Sequence, residues 1–237
     1  MEVTKGKVAA SFWSDKRVFL TGHTGFKGAW LSLWLQSMGA VVKGYSLEPN
    51  TTPNLFTEAG VAKNMETEIG DIRNEAQIAE SMTVFNPDVL IHMAAQPLVR
   101  LSYQEPVNTY TTNVIGTVHV LEAARKCPNL KAIVSVTTDK CYENKEWDWA
   151  YRENEPMGGH DPYSSSKGCA ELVTSAYRRS FFNTENSASL ASARAGNVIG
   201  GGDWADDRLI PDILNAFEKS EPVVIRNPLS TRPWQHV

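Results

Sequence analysis

Residues 17–28 read Arg-Val-Phe-Leu-Thr-Gly-His-Thr-Gly-Phe-Lys-Gly. A short apolar strand, Arg17–Thr21, runs straight into glycines at 22, 25 and 28. Apolar residues at helical spacing follow at once, from about Lys27 to Met38, and stop at Gly39. A strand passing through G-x-x-G-x-x-G into a helix marks the first βα unit of a dinucleotide-binding sheet. Gly22 permits the tight turn, Gly25 lets the backbone approach a pyrophosphate, and Gly28 lets the helix pack closely on the sheet. The helix N-terminus offers the same phosphates its N–H groups and partial positive charge. Lys27 and His23 are placed to add charge or hydrogen bonds there; for His23 the alternative is a turn residue facing solvent.

The pattern repeats along the chain. Strands are expected at Val41–Tyr45, Glu66–Gly70, Asp88–Met93, Lys131–Val136 and Ser189–Ala193. Helices are expected at Ala76–Phe85, Val107–Arg125, about Pro162–Phe181 and Pro211–Lys219. Alternation of this kind gives an α/β fold: a Rossmann-type doubly wound parallel sheet with right-handed crossovers. Near Asn197 the pattern changes to a loop-rich stretch containing Gly200–Gly202, Asp203, Trp204, Asp206 and Asp207. The expected organisation is a NAD-binding domain over residues 1–196 and the start of a smaller substrate-binding lobe over 197–237. The last six residues, Arg232-Pro-Trp-Gln-His-Val237, carry no cap or polar tail, so the lobe is expected to continue past them.

Composition narrows the function. The 237 residues are 42% hydrophobic and 21% charged, ordinary for a globular protein. A net charge of −4 argues against general nucleic-acid or membrane-surface binding, so an anionic ligand needs local basic residues. No apolar run approaches the roughly 18 residues of a membrane span, and residues 1–12 show no signal-peptide pattern. Cys127, Cys141 and Cys169 are odd in number and not at metal-ligand spacing. The reading is a cytoplasmic protein of a reducing compartment, with no metal, nucleic-acid or membrane partner.

In a dinucleotide fold the second strand ends on an acidic residue that binds the adenosine ribose. Here the segment reads Gly44-Tyr45-Ser46-Leu47-Glu48, with no arginine to hold a 2′-phosphate. A weak preference for NAD over NADP and weak cofactor binding are expected. Asp71, ending the third strand, suits an acceptor for the adenine amino group, with Ile72 donating through its backbone; the alternative is a helix N-cap at Asp71.

Two further segments carry chemistry. Residues 136–140 read Val-Thr-Thr-Asp-Lys and residues 163–167 read Tyr-Ser-Ser-Ser-Lys. The second places a phenol and an amine four residues apart, on one face of a helix. A tyrosine acting as proton acceptor needs its pKa lowered from about 10, and a neighbouring ammonium does that.

The glycine motif, Asp71-Ile72, Ala94-Ala95, Asn113 and Tyr163-x-x-x-Lys167 together resemble the extended short-chain dehydrogenase/reductases that act on nucleotide-sugars. The resemblance covers essentially the whole chain. It implies cofactor contacts from residues 22–28, that is Gly22, His23, Thr24, Gly25, Phe26, Lys27 and Gly28, and from Asp71, Ile72, Ala94, Ala95, Asn113, Thr137, Tyr163 and Lys167. The 4,6-dehydratases of the family carry Thr-Asp-Glu where this chain has Thr138-Asp139-Lys140. The Thr-Asp-Lys variant, with Ala94-Ala-Gln-Pro97 and the run Gly196-Asn-Val-Ile-Gly-Gly-Gly-Asp-Trp204, is similar to dehydratases acting on CDP-glucose. The resemblance implies oxidation at carbon 4 with Tyr163 as base and Thr138 on the oxygen. Water is then lost across carbons 5 and 6, with Asp139 as acid and Lys140 as base or electrostatic stabiliser; for this pair a salt bridge at a strand end is the plain alternative. The remaining alternatives are another nucleotide-sugar dehydratase, a 4-epimerase, or a non-catalytic NAD-binding regulator. Substrate contacts are implied for Arg232, on the diphosphate, and Asn197. Arg208 and Arg226 are further candidates, or solvated surface. Gln96 and Arg100 stand at the mouth of the fourth strand, where Arg100 meets a phosphate or forms an ion pair. The two long helices, Val107–Arg125 and that of Tyr163, resemble the pair by which the family forms a homodimer or a dimer of dimers.

Overall fold

The computed structural model describes residues 8–237. After a short helix α1 (Ala10–Trp13), strand β1 (Arg17–Thr21) leads through the glycine turn into α2 (Phe26–Ser37) and β2 (Val41–Ser46). Then follow α3 (Leu55–Glu58), β3 (Glu66–Ile69), α4 (Glu75–Phe85) and β4 (Val89–His92). Two short helices, α5 (Val99–Gln104) and α6 (Pro106–Tyr110), run through a π-helical turn at Thr111–Ile115 into α7 (Gly116–Arg125). The chain continues as β5 (Ala132–Val136), α8 (Pro162–Ser180), β6 (Ser189–Ala193), β7 (Asn197–Ile199), α9 (Leu209–Glu218) and β8 (Trp234–His236).

Six strands form one parallel sheet in the order β3-β2-β1-β4-β5-β6. The chain winds outward from β1 in one direction and from β4 in the other. The switch point therefore lies between the C-terminal ends of β1 and β4, where open α/β sheets leave a crevice for ligands. Side-chain alternation along β1 builds both cores. Phe19 faces Tyr45, Ile78, Met82, Leu90, Val120, Leu121 and Ile133, under α4 and α7. Val18 and Leu20 face Leu35, Val42, Val89 and Ile91, under α2. Gly39, at φ +81°, ends α2 as the sequence predicts.

The structure departs from the sequence reading in three places. The helix expected over Val107–Arg125 is interrupted by the π turn, which no apolar spacing announces. Asn74, not Asp71, caps α4: its side chain accepts from the Gln77 amide. Beyond residue 196, β7 pairs in parallel with β8, Asn197 opposite Trp234, a small second sheet that the loop-like composition conceals. Among the described residues no helix is long and apolar enough to cross a membrane.

Candidate active site

The glycine turn is fixed by close backbone approach. Gly22 holds φ +80°, and a Cβ there would stand 2.8 Å from the Ala94 nitrogen. A Cβ on Gly28 would stand 2.0 Å from the Gly22 carbonyl oxygen. Gly25 is the N-cap of α2 and supplies no side-chain cap, which leaves the first-turn N–H groups for a ligand. The Thr24 hydroxyl meets Ser46 Oγ and the Leu47 carbonyl oxygen, each at 2.8 Å, and ties the turn to the end of β2. A glycine cradle, a free helix N-terminus and the sheet's switch point together fit a dinucleotide pyrophosphate.

His23 is neither charged nor the solvent-facing turn residue of the alternative reading. It is fully buried, packed edge-on to Phe56 at 5.2 Å and against Gly44, and neither ring nitrogen has a hydrogen-bond partner. Burial lowers its pKa to about 4, so the ring is neutral and brings no charge to the turn. Asp71 is engaged too: its carboxylate accepts from the Arg73 amide at 2.9 Å and from the Arg73 guanidinium. Ile72 is buried in the core, and its carbonyl oxygen lies 3.1 Å from His119 Nδ1.

A network behind the turn locks the end of β1. Thr21 Oγ1 accepts from the Met93 and Ala94 amides, both at 3.1 Å, so its proton goes to His92 Nδ1 at 2.7 Å. His92 Nε2 then donates to Thr117 Oγ1 at 3.1 Å, and Thr117 donates to the Asn113 carbonyl oxygen at 2.7 Å. The Asn113 side chain accepts from the Gln96 amide at 2.8 Å and donates to the Gln96 carbonyl at 3.1 Å and to Ser166 Oγ at 2.8 Å. Asn113 thereby stitches the loop after β4, with Ala94 and Ala95, to α8. Gln96, expected at the substrate, instead spends its side chain on that loop, donating to Leu98 O and Thr109 Oγ1 and accepting from the Leu98 amide.

The switch point opens into a cleft of about 500 Å³. One wall carries Lys27, Thr137, Thr138, Lys140 and Tyr163; the other carries Asn197, Arg208, Arg226 and Arg232. Asp161 caps α8, its carboxylate accepting from the Ser164 amide at 2.8 Å, and Pro162 occupies the first turn. This start presents Tyr163 and Lys167 to the cleft side of the sheet. Tyr163 is buried, its backbone amide bonded to Ser102 Oγ at 3.1 Å. Burial pushes its phenol up to about 12, partly offset by the Thr138 side chain. That runs opposite to the lowering the sequence led us to expect. Lys167 lies behind it with Nζ donating to the Val136 carbonyl oxygen at 3.3 Å. Burial, with Lys27 next, brings the Lys167 amine down to about 8.

Thr138 Oγ1 donates to Asp139 Oδ1 at 2.9 Å, and the Asp139 amide donates to Ala195 O at 3.0 Å. The Lys140 ammonium lies over the Tyr163 ring, and burial, helped by Arg232 and Arg208 and opposed by Asp139, lowers its pKa. Lys140 lines the cleft, Asp139 is bonded to the neighbouring Thr138, and the two are not closed into a salt bridge of their own. Thr137 is buried and donates to Glu171, which also accepts from Ser192 at 2.8 Å and pairs with Arg194 at 3.1 Å. Glu171 was not read from the sequence; a carboxylate one helical turn after Lys167, on the buried face of α8, is the signal that marks it.

The arginines divide. Arg208 pairs with Asp203 at 3.0 Å, while Arg100 and Arg226 both pair with Asp207. Arg232 is exposed and donates to the Thr231 carbonyl oxygen, with no carboxylate partner among the described residues.

A parallel sheet in this order, a glycine-turn crevice and a cleft holding a tyrosine–lysine helix define a nucleotide-binding α/β enzyme fold, and the chain belongs to the family described as GDP-mannose 4,6 dehydratase, matched over residues 19–237. The individual likenesses are narrower. The chain is 63% identical over 231 residues to the CDP-glucose 4,6-dehydratase of Salmonella typhimurium, covering 96% of this chain and 64% of that protein. It thus spans less than two thirds of this relative's length. The dTDP-glucose 4,6-dehydratase of Bacillus anthracis, solved in complex with NAD, is 25% identical with a TM-score of 0.77 over 93% of this chain and 67% of that one. The UDP-glucose 4-epimerase of Thermotoga maritima, solved with UDP-glucose, shares the fold at a TM-score of 0.81 and 20% identity, over 93% of this chain and 69% of that one.

Proposed function

We propose that the chain carries out NAD-dependent 4,6-dehydration of CDP-glucose to CDP-4-keto-6-deoxyglucose, a hydro-lyase reaction. The observation that carries this reading is the gathering of Thr138, Lys140 and Tyr163 in a single cleft, with Asp139 bonded to Thr138 and Lys167 behind them. The 63% identity to a CDP-glucose 4,6-dehydratase supports it, and favours CDP-glucose over other nucleotide-sugars.

Residues 22–28, with the loop at Ala94-Ala95, hold the pyrophosphate and ribose side of NAD, and Thr137, Tyr163 and Lys167 line its nicotinamide end. Bound NAD supplies a hydride acceptor at its ring and a donor after oxidation, so it ends as it began. Tyr163 takes the proton of the sugar's 4-hydroxyl while Thr138 hydrogen-bonds that oxygen. Tyr163 is held neutral by burial, so it becomes a proton acceptor only when positive charge enters the cleft. Lys140, with its pKa lowered, removes the acidified proton on carbon 5, and Asp139 delivers a proton to the departing 6-hydroxyl. Lys140 also stabilises the enolate electrostatically. An epimerase has no use for this second pair.

Residues 197–237 belong to the substrate-binding lobe, with Asn197 and Arg232 on the diphosphate. The exposed apolar residues Tyr103, Val107, Ile115 and Leu172, on α5 to α8, support assembly as a homodimer or a dimer of dimers. The three free cysteines support a cytoplasmic site of action. The reading is tested by incubating the full-length protein with CDP-glucose and catalytic NAD and looking for the 4-keto-6-deoxy sugar. Turnover of a UDP-, dTDP- or GDP-sugar alone rejects the substrate assignment; no turnover of any nucleotide-sugar rejects the activity.

A further inference from the structure

Asp207 stands between two guanidinium groups in the wall of the cleft. Its Oδ1 accepts from Arg100 Nη1 at 2.6 Å and from Arg226 Nη1 at 2.5 Å, and Arg226 Nη2 donates to Asp212 at 2.7 Å. The partners come from separate stretches: Arg100 from α5, Asp207 from the loop before α9, Arg226 from the segment after it. Asp207 holds φ 60°, a left-handed backbone that most side chains rarely adopt. One carboxylate oxygen bridging two arginines is the arrangement a phosphate oxygen makes with the same groups. Two arginines with two carboxylates carry no net charge, so the closed cluster offers a dianionic ligand little attraction. Arg232, without a carboxylate partner among the described residues, lines the same cleft.

We infer that Asp207 is a resident anion that the substrate's diphosphate displaces from Arg100 and Arg226, and that it thereby sets the affinity and exchange of the anionic ligand. The inference rests on the nucleotide-sugar reading above. A ligand that must first break the Asp207 pairs binds more weakly by whatever those pairs contribute to the free protein. Removing the carboxylate therefore strengthens binding. If Asp207 merely positioned Arg226, its removal would weaken binding, so the sign of the effect separates the two roles.

Calorimetric titration with CDP, UDP, GDP and inorganic pyrophosphate decides it, using the full-length protein, Asp207→Asn, Asp207→Gly, and Asp207→Asn combined with Arg226→Gln. Asn and Gly both accept a positive φ, so neither variant adds backbone strain. Both single variants are expected to bind each ligand roughly 3- to 10-fold tighter, the scale of one or two part-exposed ion pairs. The gain shrinks when Arg226 is removed as well, because Asp207→Asn then frees Arg100 alone. Unchanged or weaker binding in both single variants overturns the proposal. If pyrophosphate shows the gain while CDP binds no better than UDP or GDP, the displaced anion stands and the choice of base falls. No binding of any ligand to any of the four proteins overturns both.

Discussion

The Lys140 ammonium lies over the face of the Tyr163 ring, 5.8 Å from its centroid. The two residues serve different halves of the proposed reaction, yet share one patch of the cleft. Lys140→Met removes the amine and keeps most of the volume, so oxidation at carbon 4 should persist while elimination slows by about 100-fold or more. In a single turnover, reduced nicotinamide should accumulate by its ultraviolet absorbance and the 4-keto-6-deoxy product should not. Full dehydratase activity in this variant would remove Lys140 from the mechanism.

Asn113 makes three buried side-chain hydrogen bonds and holds the loop after β4 against α8. Asn113→Ala leaves the Gln96 amide and carbonyl without those partners. A loss of about 2–4 kcal/mol in unfolding free energy is expected, the cost of unsatisfied buried polar groups. Hydrogen exchange should show protection lost first over residues 94–98. Uniform loss of protection across the sheet would place the role of Asn113 elsewhere.

Gly28 packs on the Gly22 carbonyl with no room for a methyl group. Gly28→Ala must push α2 away from the turn, at about 1–3 kcal/mol of stability. NAD affinity should fall by more than the change in melting temperature explains, because the phosphate cradle itself moves. NAD titration of the variant at a temperature where it is fully folded measures this directly.

Buried neutral histidines make stability fall in acid. His23 and His92 have pKa values lowered by burial to about 4 and about 3, from 6.5. Between pH 6.5 and those values the unfolded chain binds protons that the folded chain does not, so stability drops as pH falls. Each histidine contributes a slope approaching about 1.4 kcal/mol per pH unit within its window. Melting temperatures measured from pH 7 down to 4 should decline steeply, and His23→Leu should flatten the slope. An unchanged slope would mean that His23 protonates in the folded state.

The strands were legible because parallel interior strands are short β-type runs, and Val89–His92 and Arg17–Thr21 are of that kind. The glycine turn was legible because steric need selects glycine at Gly22 and Gly28. What escaped reading depends on contacts distant in sequence. Nothing local says that Gln96 turns inward to Thr109 and Leu98, that Asp207 reaches both Arg100 and Arg226, or that His23 meets Phe56 in the interior. The direction of the Tyr163 shift is not legible in the sequence for a related reason. A lysine at i+4 lies on the same helical face, but its ammonium reaches Val136 instead, and burial then governs the phenol.

The π turn at Thr111–Ile115 acts as a phase shift within one rod. It carries one residue more than a regular α-helical turn needs, so α6 and α7 follow independent angular phases along nearly one axis. Deleting a single residue there should heal the helix and rotate everything downstream by about 100°. Val120, Leu121 and Ala124 would then swing out of the core, and Asn113 would lose its view of Gln96. An inserted residue, ordinarily a defect in a helix, is here what lets one helix serve the sheet with one segment and the cleft-side loop with another.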